Sequence, residues 1–350
     1  MDMKIKIKGK HIGRDCPVFV IAELSANHNQ VFNTAVRTIK AAKNSGADAV
    51  KLQTYTPDTM TIDADNKEFL VNHPVWGGQS LYQLYKKAYT PWKWFKRLKK
   101  VADDLGIILF STAFDKSSVD FLEELDVPVH KIASFELVDL PLIEYAARTR
   151  KPLILSTGMA AIKEIEEALA AARRGGAKDI ILLKCVSSYP ANPKEMNLRT
   201  IPDMERRFHC PVGLSDHTLG AGTAVAAVSL GAVMIEKHFI LSRTINAPDG
   251  FFSIEPGELK GLVKDIRTAE NSLGKVRYGL TREEKESVVF RRSLFVVKDI
   301  KDGEFLTEDN VRSIRPARGL KPKYLKRVIG KKARKDIPRG TPLTWDAIKR

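Results

Sequence analysis

Cysteine is scarce: Cys16, Cys185 and Cys210 are the three in 350 residues. An odd number without metal-ligand spacing argues against a disulfide framework or a thiolate zinc site and reads as reduced, structural thiols. Long apolar runs are missing too. No segment reaches the roughly 20 residues that a membrane helix needs. The opening MDMKIKIKGKHIGRD alternates lysine with apolar residues and lacks the continuous apolar core of a secretory leader. A cytoplasmic protein without membrane partners is therefore expected. Glycine and proline are ordinary in amount, and no low-complexity tract marks a disordered arm.

What is present is a repeated construction. Eight apolar runs, VFVIAEL, AVKLQTY, IILFST, VHKIAS, PLILST, IILLKC, VGLSDH and VMIEKHF, start at Val18, Ala49, Ile107, Val129, Pro152, Ile180, Val212 and Val233. Most are separated by amphipathic stretches of helix length, such as TAVRTIKAAKNSGAD and KEIEEALAAARRGGAKD. Short apolar runs alternating with helices predict parallel strands buried on both faces, and eight of them predict a (β/α)8 barrel, the TIM-barrel fold. Such a barrel takes roughly 250 residues, which leaves room for one small domain. The polar ends of the runs carry Glu23, Lys51, Gln53, Thr112, Lys131, Ser134, Ser156, Ser187, Ser215, His217, Lys237 and His238. The carboxyl ends of barrel strands form the catalytic rim, so these residues are expected to assemble one site.

A charged connector, TREEKESVVFRRS, precedes a second region in which short β-like runs are punctuated by Asp302-Gly303 and Pro338-Arg339-Gly340. These read as turns of a small β-rich module. Residues 1–282 are assigned to the barrel with an N-terminal β-hairpin, 283–290 to a linker and 291–350 to the module. The net charge is +16, and residues 315–350 hold 13 Lys/Arg against Asp336 and Asp346. Few aromatics accompany these charges and no nucleic-acid-binding signature is present, so nucleic acid is not the expected partner. A basic module beside a site for anions would instead steer them electrostatically.

His217 and His238 each close an apolar run, and one helix-length segment, GAGTAVAAVSLGA, lies between them. On consecutive parallel strands both imidazoles emerge at the same end of the sheet, a metal-site geometry. Lys51 and Lys131 lie within apolar strands, where an unpaired ammonium is costly. That favours an anionic ligand, the alternative being an ion pair with a barrel carboxylate such as Glu23 or Glu136. For the serines and Thr112 the competing reading is helix capping.

FVIAELSANHNQ, GADAVKLQTYTPDTMT, STAFD, HKIASFE, ILSTGMA, LLKCVSSYP, VGLSDHT, IEKHF and PDGFFSIEP occur in an order that resembles the N-acetylneuraminate synthase family. RRSLFVVKDIKDGEFLTEDNVRSIRPARGL resembles the SAF, or antifreeze-like, domain of that family. The similarity spans essentially the whole chain. ELSANH, KLQTYTPDTMT and the W-x4-LYxLYxxAxTPxxW arrangement from Trp76 to Trp94 are similar to the branch whose acceptor is a 2,4-diacetamido-2,4,6-trideoxy-altrose. N-acetylmannosamine and a diacetamido-mannose, the acceptors of related branches, are the alternatives.

The resemblance implies condensation of phosphoenolpyruvate with an amino-sugar aldose, with release of phosphate. It implies that Lys51, Thr112, Lys131, Ser134, Ser156, Ser187 and Ser215 line the phosphoenolpyruvate pocket; Ser187 replaces an asparagine common in sialic acid synthases. Gln53, Tyr189 and Asp249 match positions that contact the acceptor. A divalent cation on His217 and His238 would act as Lewis acid and template. Two nitrogen ligands and otherwise oxygen suit Mn²⁺, with Mg²⁺ or Co²⁺ as alternatives. Glu23 and Glu136 are the candidates for general base. Arg315, with Phe290 beside it, matches the SAF arginine that reaches the neighbouring subunit's barrel, which implies a domain-swapped homodimer. Two other classes compete: a barrel aldolase with Lys131 as Schiff base, and a nonenzymatic carbohydrate- or nucleic-acid-binding protein.

Overall fold

The computed structural model describes residues 4–72 and 75–349. The outermost residues of the assigned ranges, at 1–3 and 350, lie outside the described residues. The chain divides into two compact units, Met1–Gly274 and Lys275–Arg350.

The first unit opens with a hairpin of β1 (Ile5–Ile7) and β2 (Lys10–Ile12). Its two-residue turn places both Lys8 and Gly9 at positive φ, a geometry that matches the twist of a two-stranded ribbon. Alternation then drives Ile5, Ile7 and Ile12 into the barrel core, while Lys8 reaches Asp103 at 2.6 Å. Asp103 lies in the last turn of the helix Trp92–Asp104, which leads into the start of a barrel strand at Ile108, so the hairpin packs at the N-terminal end of the barrel.

The barrel strands are β3 (Phe19–Glu23), β4 (Ala49–Thr54), β5 (Ile108–Ala113), β6 (His130–Ile132), β7 (Leu153–Ser156), β8 (Ile180–Cys185), β9 (Val212–Asp216) and β10 (Met234–His238). All neighbours pair in parallel, and β10 closes on β3 with His238 opposite Glu23. The eight apolar runs thus become the eight strands, each beginning within one residue of its run. Their interior is close to fully buried because helices cover the outer face. The helix Ile162–Gly175 illustrates the fit: Ile165, Ala168, Leu169 and Ala172 form its buried stripe, at the spacing of one helical face. The Glu164 carboxylate accepts from the Ala161 N–H at 2.7 Å and satisfies a donor at the helix start. Each fully buried Leu or Ile in such an interface stabilises by roughly 1.5–3 kcal/mol relative to exposure.

In the second unit β11 (Ser293–Val296) and β12 (Val311–Ile314) pair antiparallel. The rest is held by single bridges such as Ile300↔Ile337 and Phe305↔Lys332. Both expected turns form: Glu304 N–H donates to the Lys301 carbonyl at 3.0 Å, and Thr341 N–H to the Pro338 carbonyl at 3.2 Å. A core of its own gathers Leu294, Val296, Ile300, Leu306, Val311, Ile337 and Leu343. Residues 283–290 carry short helical turns, Glu284–Ser287 and Val288–Phe290.

Candidate active site

Strand alternation brings six polar side chains into the barrel interior near its C-terminal end. Lys51 lies 2.8 Å from Glu23 Oε2 and 3.6 Å from Glu236 Oε1, and donates to Thr112 Oγ1 at 2.9 Å. Lys131 reaches both oxygens of Glu236 at 3.3 Å, and Ser215 Oγ donates to Glu236 Oε1 at 3.0 Å. All six residues are buried. Two ammonium groups thus face two carboxylates in a low-dielectric pocket, which balances charge where isolated ions would be expelled.

The carboxylates differ in how they hold protons. Burial pushes Glu23 up, and the nearby Glu236 charge adds to this against the pull of Lys51. Burial acts on Glu236 in the same sense, but Lys131, Lys51 and the Ser215 hydroxyl outweigh it and hold the group below its ordinary value. The lysines differ as well. Burial works against the Lys51 charge but is overcome by Glu23 and Glu236; for Lys131 burial prevails and its pKa is lowered.

The ion-pair alternative for the two lysines is therefore realised, with one correction. Lys131 pairs with Glu236, not with Glu23 or Glu136. Glu236 was not singled out in the sequence, although period-2 alternation in MIEKH places it on the same face as His238. The same rule corrects Lys237. It points to the outer face of the strand, where its ammonium pairs with Asp216 at 2.8 Å, and it does not face the rim. Glu136 lies in the loop after β6, half-buried, and burial raises its carboxyl to about 7.

Ser134, Ser156 and Ser187 stand at or just beyond the C-terminal ends of three adjacent strands, and Ser134 and Ser187 close on Gly158. Gly158 N–H donates to Ser134 Oγ at 3.1 Å, and a Cβ at position 158 would collide with both Ser134 Oγ and Ser187 Oγ. Here glycine is required by close approach. Ser156 Oγ and Ser187 Oγ are buried and have no hydrogen-bond partner, so helix capping does not occupy either hydroxyl. Gln53 stands half-buried in register with Thr112.

The His217 and His238 rings come together with centroids 5.3 Å apart. His217 Nδ1 donates to the Val186 carbonyl at 2.8 Å, so Nδ1 carries a hydrogen and Nε2 is the ring nitrogen left to face a ligand. His238 Nδ1 is buried, has no hydrogen-bond partner and lies 3.8 Å from Asp249 Oδ2. Burial first, with the nearby ammonium groups of Lys51 and Lys131 acting in the same sense, drives the His238 pKa well down, so its imidazole is neutral as a ligand must be. Among the described residues no group of three or more His, Cys, Asp or Glu is arranged to hold a metal ion. The two imidazoles fit an ion that takes its remaining ligands from substrate and water.

Aromatic rings wall this pair. Tyr189 lies 4.3 Å from His217 and Phe252 lies 4.7 Å from His238, centroid to centroid. Trp76 packs on Tyr189 and Phe251, and its indole N–H donates to the Pro248 carbonyl at 2.9 Å. Asp249 is held by the Ser25 hydroxyl. In the same loop Asn27 Nδ2 donates to the Phe239 carbonyl at 3.0 Å and to Ser253 Oγ at 2.8 Å. His28 Nδ1 accepts from the Gln30 N–H and its Nε2 lies 3.0 Å from Thr90 Oγ1. Asn27 and His28 therefore brace the loop. Arg315 and Phe290 belong to the second unit and are exposed there; Ser293 Oγ anchors the Arg315 loop by donating to the Pro316 carbonyl at 2.6 Å.

A closed parallel barrel with buried lysines, unpartnered hydroxyls and paired imidazoles at its C-terminal mouth defines a (β/α)8-barrel enzyme for an anionic substrate. The sequence matches the NeuB family over residues 38–278 and the SAF domain over residues 291–349; the chain belongs to the NeuB family. It is 45% identical to the pseudaminic acid synthase of Helicobacter pylori, covering 95% of this chain and 98% of the relative. It is 43% identical to the pseudaminic acid synthase of Campylobacter jejuni subsp. jejuni serotype O:23/36, covering 94% and 96%. Among solved structures, the N-acetylneuraminic acid synthetase of Leptospira borgpetersenii in complex with citrate matches with a TM-score of 0.73 at 34% identity, covering 82% and 96%.

Proposed function

We propose that this chain condenses phosphoenolpyruvate with 2,4-diacetamido-2,4,6-trideoxy-L-altrose to give pseudaminate and phosphate. The observation that carries the reaction is that buried Lys51 and Lys131 and the unpartnered hydroxyls of Ser156 and Ser187 all stand near or just beyond the C-terminal ends of barrel strands. The choice of sugar rests on the 45% identity to a pseudaminic acid synthase, against 34% to an N-acetylneuraminic acid synthetase; N-acetylneuraminate or legionaminate synthesis is the alternative.

In this reading the carboxylate and phosphate of phosphoenolpyruvate take up the two ammonium groups now shared with Glu23 and Glu236. Thr112, Ser134, Ser156, Ser187 and Ser215 supply hydroxyl donors. Carbon 3 then attacks the aldehyde carbon of the open-chain sugar, forming the C–C bond from the enol π pair, and the aldehyde oxygen takes up a proton. Water adds to carbon 2, giving to Glu23 or Glu136 a proton that replaces the one taken by the aldehyde oxygen; the bond from carbon 2 to the phosphate oxygen then breaks as the new hydroxyl becomes the ketone carbonyl, and its proton leaves with the phosphate. Glu136, held near neutral pH by burial, is poised for this proton. His217 and His238 would hold a divalent cation, with Mn²⁺ proposed first and Mg²⁺ or Co²⁺ as alternatives, supplying a Lewis acid for the aldehyde oxygen. Gln53, Tyr189 and Asp249 orient the acceptor; burial keeps the Tyr189 phenol protonated and therefore a donor.

The proposal extends to a domain-swapped homodimer in which Arg315 and Phe290 of one subunit serve the barrel of its partner. Its support is the SAF match and the exposure of both side chains on the second unit. Mixing a His217→Ala subunit with an Arg315→Ala subunit should then restore activity, because one site per heterodimer is intact; no rescue under verified exchange overturns the swap. The three unpaired thiols suit a reducing compartment, and the cytoplasm is the one proposed.

The deciding experiment is phosphate release from phosphoenolpyruvate with Mn²⁺, comparing the diacetamido-altrose with N-acetylmannosamine and the diacetamido-mannose. Turnover with the altrose alone supports the reading. Turnover only with another sugar keeps the chemistry and moves the specificity; no turnover with any of the three rejects it. A Schiff-base aldolase is the second reading, favoured by the lowered pKa of Lys131. Borohydride trapping of a carbonyl substrate on Lys131 would select it.

A further inference from the structure

Asp216 and Lys237 stand directly across from each other as the last register pair between β9 and β10. Each immediately precedes a rim histidine, His217 or His238. Alternation turns them to the opposite face of the strands, behind the imidazoles, and their side chains are 0% and 1% exposed. Lys237 Nζ donates to Asp216 Oδ2 at 2.8 Å and to the Thr218 carbonyl at 2.6 Å. Asp216 Oδ1 accepts from the Thr218 N–H at 2.9 Å and from Thr218 Oγ1 at 2.7 Å. One carboxylate and one ammonium therefore bind the chain on both sides of His217, just where the backbone ladder ends.

We propose that the Asp216–Lys237 couple, with Thr218, is a positioning clamp that sets the separation and orientation of His217 and His238 for their metal ion. The inference rests on the metal reading of the two histidines. A buried ion pair adds little net stability compared with apolar residues of the same volume. Its effect is instead geometric: it fixes the backbone carrying His217 against the strand carrying His238, while the Val186 carbonyl fixes the His217 ring. Partners behind metal ligands typically change metal affinity by about 10–100-fold when removed.

The test titrates Mn²⁺ alone into the full chain and follows free Mn²⁺ by electron paramagnetic resonance, with thermal unfolding measured without metal as the control for folding. The wild type should bind, and His217→Ala should not. If the wild type fails to bind, or His217→Ala binds equally well, the metal reading fails and takes the clamp with it. The double variant Asp216→Leu/Lys237→Met removes both charges together, so no unpaired ion is left behind. It is expected to unfold near the wild-type temperature yet bind Mn²⁺ roughly 10-fold or more weakly. Unchanged affinity in the folded double variant overturns the clamp and leaves a structural ion pair. Should that variant not fold, Thr218→Val decides, since it removes one hydroxyl and keeps the ion pair. About threefold weaker Mn²⁺ binding supports the clamp, and wild-type affinity overturns it.

Discussion

The two ends of the barrel are built from the same eight strands and spend their polar groups in opposite ways. At the N-terminal end the hairpin buries Ile5, Ile7 and Ile12, and its charges, such as Lys8 on Asp103 and Arg14 on Glu205, stay paired at the exposed rim. At the C-terminal end Glu23, Lys51, Lys131 and Glu236 are buried together. Apart from Glu23 Oε2, which Lys51 meets at 2.8 Å, six buried side-chain atoms among the described residues have no hydrogen-bond partner, and five belong to that end: Asn27 Oδ1, Glu136 Oε2, Ser156 Oγ, Ser187 Oγ and His238 Nδ1. Unsatisfied buried polar atoms cost stability, so the C-terminal end carries most of this cost and the N-terminal end, with His130 Nδ1, little of it. The difference teaches where to look for chemistry: the end at which the fold is least satisfied is the end prepared for a ligand.

The contrast is broken most severely at the mouth. Lys51→Met should lower kcat/KM for phosphoenolpyruvate by roughly 10³-fold, the scale of losing a preorganised charge donor, while circular dichroism reports an intact barrel. A loss below tenfold would remove Lys51 from the substrate pocket. Ile7→Ala probes the opposite end. It should destabilise by about 2–4 kcal/mol in a denaturant titration and leave kcat unchanged; an equal loss of activity would mean that the hairpin end is not merely structural.

Gly158→Ala sharpens the comparison at one atom. Its methyl would collide with Ser134 Oγ and Ser187 Oγ, so both serines must shift: the KM for phosphoenolpyruvate should rise about tenfold and stability should fall by about 1–3 kcal/mol. The pH dependence follows from Glu136, raised by burial from an ordinary 4.5 to about 7. Because the folded chain keeps this proton to higher pH than the unfolded chain does, stability from this group is lost as pH rises from about 4.5 to about 7. Activity that needs the ionised base runs the other way and falls below about pH 7. Glu136→Gln should flatten the stability slope across that window, and an unchanged slope would assign it to another group. The smallest effect is expected for Lys8→Ala, which breaks an exposed ion pair and should change stability by less than about 1 kcal/mol, with kinetics unaffected.

Much of this was legible in the chain. VFVIAEL through VMIEKHF became β3 to β10 in order, because runs buried on both faces and spaced by one helix admit few other arrangements. The strand-end residues Thr112, Lys131, Ser215 and His238 gathered at one mouth because parallel strands share a direction. Partnering was not legible. Lys131 meets Glu236 across 105 positions; alternation turns Glu236 to the face of His238, but nothing local pairs it with Lys131 in preference to Glu136, a carboxylate five residues from the same lysine. Lys237 read as a rim residue only because its neighbours are; its outward turn is visible once the strand register is fixed.

The sequence by itself determined the alternation of strands and helices, the small second unit with its two turns, and the chemical types available at the catalytic end. These follow from short-range periodicity and backbone preference. Only the tertiary structure decided which carboxylate neutralises which ammonium, which hydroxyls remain unpartnered around Gly158, and that Asp216 and Lys237 brace the histidines from behind. The physical reason is closure: when β10 pairs with β3, side chains distant in sequence come within a few ångströms in a medium that penalises unpaired charge, and those pairings exist only in the closed barrel.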